Sequence, residues 1–246
     1  KRRLKYTALG LVPSTKENGR VIRLNLGIDF GSTSSKAVVR LPYESFETVA
    51  VPAIPGLEAD KNPYYASSHI FQNSNGEFSF FSKDCKDTFY HSLKLDFLLR
   101  CEESDSSDLS ACDIPLIAFL TLFVKQALGW FSDNYKGRSK ENIKTFISFG
   151  FPAKNFTQTL GQQKFYNVCA VVLKMLYKDH SVGKMQIEDV MTDPSTFEVS
   201  KSFKIVPELI GAVSGFANSN QRELRDYFIL DAGGLTLDYA MFSLRV

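Results

Sequence analysis

The chain has 246 residues, a formal net charge of +2, 44% hydrophobic residues and 23% charged residues. These globular proportions exclude global disorder, a collagen-like repeat and a coiled coil, and the near balance of charge gives no nucleic-acid surface. Four cysteines (Cys85, Cys101, Cys112, Cys169) and three histidines (His69, His91, His180) are scattered without CxxC or HExxH spacing, so no structural zinc is expected. Reduced thiols in a cytoplasm are the expected state. Lys1-Arg2-Arg3 reads as a solvated terminus.

The first predicted element is a strand with Ile22, Leu24, Leu26, Ile28 and Phe30 on one face and Arg23, Asn25, Gly27, Asp29 and Gly31 on the other. Asp29 therefore emerges at the end of a buried strand, just before the turn Gly31-Ser32-Thr33-Ser34-Ser35, and the chain resumes as a strand at Lys36 to Val39. Further on, Asn73 to Gly76 forms a turn between short aromatic strands, and Glu102 to Asp113 reads as an acidic, serine-rich loop. The apolar run Ile114 to Phe131 contains Lys125 and Gln126. It is too short and too polar for a membrane span, so a buried helix continuing towards Tyr135 is expected, with Pro115 in its first turn.

Ile143 to Phe149 alternates as a strand and is stopped by Gly150 and Pro152. From about Asn155 to Tyr177, helical spacing places Phe165, Val168, Cys169, Val172 and Leu176 on one face. A further helix starts near Pro207 and runs to about Asn218. Helices alternating with strands indicate an α/β layer fold.

The device of the first hairpin recurs at the far end. Tyr227 to Leu230 is a strand ending in Asp231, Gly233-Gly234-Leu235-Thr236 make the turn, and Leu237 to Leu244 return with Asp238 near their start. Glycine lets backbone approach a ligand closely, and consecutive turn N–H groups form an anion-binding concavity. Two such hairpins, each with an aspartate before its glycines, suit a nucleoside triphosphate held from two sides, with hydrated magnesium between the carboxylates. The competing phosphate-binding motifs, GxxxxGK[ST] and GxGxxG, are absent from the sequence.

LGIDFGSTSSKAVV (26–39) resembles the first phosphate motif of the actin-like ATPase superfamily, which includes actin, the 70-kDa heat-shock chaperones and sugar kinases, and FILDAGGLTLDYAMF resembles its second. KIVPELIGAVSGFANS is similar to the connecting helix (205–219), FISFGFPAKNFTQTLGQQKF to the chaperone strand-proline-helix segment, and FFSKDCKDTFYHSLKLDFLL to the chaperone stretch carrying a phosphate-reaching lysine. The chaperone nucleotide-binding domain, N-terminal lobe, is the closest resemblance. It departs from that pattern at Leu235, which replaces a third glycine, and at Pro207, which precedes rather than follows Glu208.

The resemblance implies a ribonuclease-H-like, actin-type α/β lobe over 1–225, with a mixed sheet flanked by helices, and the opening hairpin of a second lobe over 226–246. It implies ATP and ADP as ligands, Mg2+ held through water by Asp29 and Asp231, and phosphates cradled by Gly31, Ser32, Thr33, Ser34, Gly233, Gly234 and Thr236. Glu208 would orient or deprotonate the attacking water, and Lys83 would neutralise the transferred phosphoryl group. The expected activity is Mg-dependent ATP hydrolysis coupled to lobe closure in a cytoplasmic, heat-shock-70-like chaperone. Its partners would be the remainder of the second lobe, a client-binding domain and co-chaperones, with no nucleic acid and no membrane. The motif order leads one to expect a piece of a larger protein with weak nucleotide affinity on its own. A nucleotide-controlled filament or scaffold, a small-molecule kinase of the same superfamily and a non-hydrolysing relative are the alternatives.

Overall fold

A computed structural model describes residues 21–41, 48–103, 105–135, 142–152, 159–178, 181–197, 202–217, 220, 222–232 and 237–245. The elements in chain order are β1 (Val21–Phe30), β2 (Ser34–Arg40), β3 (Val49–Val51), β4 (Ala66–Ser67), β5 (Ile70–Gln72), β6 (Phe78–Ser79), β7 (Thr88–Tyr90), α1 (Leu93–Glu103), α2 (Ile114–Asn134) and β8 (Asn142–Phe151). They are followed by α3 (Thr159–Leu176), α4 (Lys184–Thr192), β9 (Phe203–Pro207), α5 (Glu208–Ala217), β10 (Asp226–Ala232) and β11 (Leu237–Ser243).

The main sheet is mixed, in the order β3-β2-β1-β8-β9, with β4 also paired to β2. β1 and β2 form the antiparallel hairpin expected from the sequence, with Asp29 opposite Lys36. β8 and β9 then join parallel to β1 and to each other, so β1, β8 and β9 all end at the same edge. In sheets with parallel strands that edge is where ligands bind.

The alternation in β1 separates the two faces of this sheet. Leu24, Leu26, Ile28 and Phe30 are buried, together with Ala37 and Val39 of β2, Ile147, Phe149 and Phe151 of β8, and Phe203 of β9. Helices cover this face. Phe119 of α2 lies 5.6 Å from Phe30, Phe165 of α3 stacks on Phe151 at 4.5 Å, and Phe97 of α1 meets Phe165 at 5.8 Å. α2 is long and apolar enough to span a membrane by length and composition, but it serves as the central core helix, with Ile114 through Leu120, Phe123, Val124, Leu128 and Phe131 among its buried residues.

The acidic, serine-rich stretch expected as a loop is a mostly exposed loop over 105–110, but its last residue is not exposed. Asp113 is fully buried. It accepts from Arg100 at 3.2 Å and from the Ser110 N–H at 2.9 Å, with Lys164 at 3.6 Å. This carboxylate ties the start of α2 to α1 and α3, and its charge is tolerated in the interior because two cations and a backbone donor surround it.

The helix expected to begin near Pro207 begins at Glu208, while residues 205–207 belong to β9, where Pro207 pairs with Phe151. The β10–β11 hairpin packs one face onto α5, with Phe216 and Tyr227 at 4.7 Å and Tyr227 stacked on Phe242 at 5.4 Å. A second small sheet, in the order β6-β5-β7, turns at Gly76, whose φ of 80° suits the expected turn.

Candidate functional site

The uncovered face of the main sheet carries the residues that alternate away from the core. Across neighbouring strands, Asp29 sits opposite Lys36, Gly27 opposite Ser148, and Ser148 opposite Lys204. Together with Gly150 and Val206 they line a groove of about 760 Å³. Glu208, Ile210, Gly211 and Ser214 of α5 and Asp231 of β10 complete it. Three of the sequence-predicted residues, Asp29, Glu208 and Asp231, therefore share one groove although the two aspartates come from hairpins at opposite ends of the chain.

Each of the three is positioned by a local feature. Asp29 is the penultimate residue of β1, on the outward face, and is half exposed with Lys36 Nζ 3.4 Å from its carboxylate. Lys36 also lies 4.6 Å from the centre of the Tyr65 ring, a cation–π contact that steadies it over the strand. Asp231, exposed, stands opposite Asp238, one pair before Ala232–Leu237, where β10 ends and β11 begins. Glu208 occupies the first turn of α5, where the helix N-terminus favours a negative charge.

Glu208 has a partner that sequence reasoning missed. Lys94 of α1 donates to both of its carboxylate oxygens, at 2.7 and 2.9 Å. The two side chains are only 7% and 16% exposed, so this is a nearly buried ion pair. Gly150 makes room for it, since a Cβ there would lie 3.2 Å from Glu208 Cγ and 3.4 Å from the Ile28 carbonyl oxygen. The signal for Lys94 was present in the sequence. It shares a helical stripe with Phe97, Leu98 and Cys101, which places a lysine on the buried face of α1.

Lys83 does not line the groove. It lies in an exposed turn before β7, where its backbone N–H donates to Asp87 Oδ2 at 2.7 Å. That N–H, with those of Asp84 and the Ser82 hydroxyl, holds the Asp87 carboxyl below its ordinary range.

The first turn is tightly built. A Cβ on Gly31 would clash with the Ser34 carbonyl oxygen. The Thr33 carbonyl accepts from the Ser68 N–H at 2.9 Å, and the Ser35 and Ser68 hydroxyls meet at 2.8 Å. Ser32 is buried, Ser34 half-buried and Thr33 exposed. None of residues 31–34 lines the groove, which begins at Asp29 just before them. Gly233, Gly234 and Thr236, with Leu235, lie outside the described residues.

Among the described residues no three His, Cys, Asp or Glu side chains gather as a metal-holding cluster. Two carboxylates on one groove nevertheless fit a cation held through water, which needs no closed ligand shell from the protein. No protein-family model matches this chain, and no curated protein matches it significantly.

Proposed function

We propose that the groove is the nucleotide-phosphate site of an actin-like ATPase lobe of the heat-shock-70 type, taking ATP or ADP with Mg2+ and, in the assembled protein, hydrolysing ATP. The observation that carries this reading is the convergence of Asp29 and Asp231, two strand-end aspartates from distant hairpins, on one groove that also holds Glu208. The sheet supports it as well. An antiparallel meander followed by two parallel strands brings the first glycine turn, the end of β8 and the start of α5 to one edge.

The residues divide the work by their chemistry. Asp29 and Asp231 would hold Mg2+ through its water shell, and the metal would offset the negative charge of the phosphate oxygens. The tight turn at 31–34 does not line the groove, so phosphate contacts from its backbone N–H groups would be made beyond the groove's edge, beside Asp29. Glu208 accepts the proton of the attacking water, or orients that water, as its oxygen bonds to the terminal phosphorus and the bond to the ADP oxygen breaks. Lys83 does not line the groove, and Lys94, which does not line it either, would hold the Glu208 carboxylate in place through both of its oxygens.

Calorimetric titration with ATP, with and without magnesium, tests the proposal. Weak, magnesium-dependent binding is expected, reduced about tenfold or more in Asp29→Asn and in Asp231→Asn, as loss of a charge-assisted contact requires. Magnesium-independent binding, or unchanged affinity in both variants, would remove the reading.

A further inference from the structure

The ionic pairing inside the groove is uneven. Lys36 is 3.4 Å from Asp29, and Lys94 is bonded to Glu208. Lys204 lines the same groove from β9 and has no ionic or hydrogen-bonding side-chain partner among the described residues. It is exposed and alternates with the buried Phe203, so its side chain leaves the sheet on the open face. Next to it in the ladder is Ser148, whose hydroxyl likewise makes no hydrogen bond among the described residues. Gly27, opposite Ser148 on β1, contributes no side chain to obstruct the space between them and Asp29.

The glycines on this face are accounted for by their neighbours, since a Cβ on Gly27 would lie 2.9 Å from Val38 Cγ2 and one on Gly150 would crowd Glu208. Lys204 is accounted for by no neighbour. A lysine ammonium offers three rotatable donors on a flexible stem, and a serine hydroxyl adds a fourth, a set that suits the several acceptor oxygens of a phosphate. Asp29 and Glu208 would repel such a group less than free carboxylates, because each already faces its own lysine. The remaining carboxylate of the groove, Asp231, belongs to the hairpin rather than to the sheet.

We propose that Lys204 and Ser148 form a phosphate subsite on the open face of the sheet, distinct from the glycine turn at 31–34. The group it takes is a phosphate, whether free inorganic phosphate or the end of a larger ligand. The inference stands independently of the nucleotide reading, because it rests on the unpaired lysine and its hydroxyl neighbour alone.

The test is calorimetric titration of the whole chain with inorganic phosphate at low ionic strength. Lys204→Met should weaken phosphate binding about tenfold, the loss of one charge-assisted contact, while Lys204→Arg keeps most of the affinity. Lys61→Met, at an exposed lysine that does not line the groove, should bind as the native chain does. Lys204 is exposed, and circular dichroism of Lys204→Met should match the native spectrum. Parallel titrations with Mg-ATP distinguish the two sources of phosphate. Weakening of both ligands assigns the subsite to the nucleotide's own phosphate, and weakening of inorganic phosphate alone assigns it to the free ion. Absent phosphate binding in the native chain, equal affinity in Lys204→Met, or an equal loss in Lys61→Met would overturn the proposal. Lys204-dependent phosphate binding without any Mg-ATP binding would remove the nucleotide reading and leave this subsite in place.

Discussion

Replacing Lys94 by Met removes one half of the pair that holds Glu208, and the structure sets the expected cost. Lys94 is 7% exposed and Glu208 16%, with both carboxylate oxygens bonded to Nζ. Stranding one member of a buried pair costs about 3–5 kcal/mol, mostly because the remaining charge is left without compensation. Glu208 keeps some access to the groove and has an interaction besides that with Lys94, so the lower end, about 3 kcal/mol, is expected. For a chain of this size that corresponds to a drop of about 6–12 °C in Tm. Urea unfolding should show a lower midpoint at pH 7, and the deficit should shrink as acid protonates the stranded carboxylate. The double variant Lys94→Met, Glu208→Gln should recover most of the loss, because no buried charge then lacks a partner. If the double variant loses the sum of the two single effects, or if the Lys94→Met deficit is the same at neutral and acid pH, the reasoning about an uncompensated charge is wrong.

Gly31→Ala should destabilise by about 1–3 kcal/mol and more than Gly150→Ala, because its Cβ clashes directly with the Ser34 backbone oxygen whereas that of Gly150 meets Glu208 Cγ at the wider 3.2 Å; urea midpoints of the two variants check the order. Asp113→Ala should cost about 3–5 kcal/mol, since it leaves Lys164, 6% exposed, without its carboxylate. The matching change at the exposed Asp133 should be nearly silent in the same denaturation assay. Thiol titration of the native protein at pH 8 should label Cys85 and Cys112 quickly and Cys101 and Cys169 only after unfolding. Burial pushes the Cys101 thiol up to about 11 and the Cys169 thiol well above its ordinary value, so neither offers thiolate at that pH.

The elements that were legible in the sequence are those whose pattern is local. The alternation in β1 separates buried from outward-facing residues, and it places Asp29 on the open face without any knowledge of the other strands. The apolar run of α2 and the spaced residues of α3 gave their elements because burial on one side imposes a period. What escaped depends on pairing across distance. Lys94 meets a residue 114 positions away, and no local spacing distinguishes it from Lys83 except its place on the apolar stripe of α1. Asp113 sits in a stretch whose composition is that of a solvated loop, and only the packing of α1 and α3 around it turns it into a buried anchor. Gly150 ends a predicted strand, yet its further role, leaving space for Glu208, needs the β8–α5 contact to be seen.

The central claim is that Asp29 and Asp231 serve one metal–nucleotide ligand in one groove. Substituting paramagnetic Mn2+ for Mg2+ in the nucleotide and recording amide line broadening tests it most directly. The Asp29 and Asp231 amides should broaden together on addition of Mn-ATP, with Gly150 and Glu208 close behind, and the effect should reverse with excess Mg-ATP. Broadening confined to one of the two aspartates, or uniform across the chain, would contradict it.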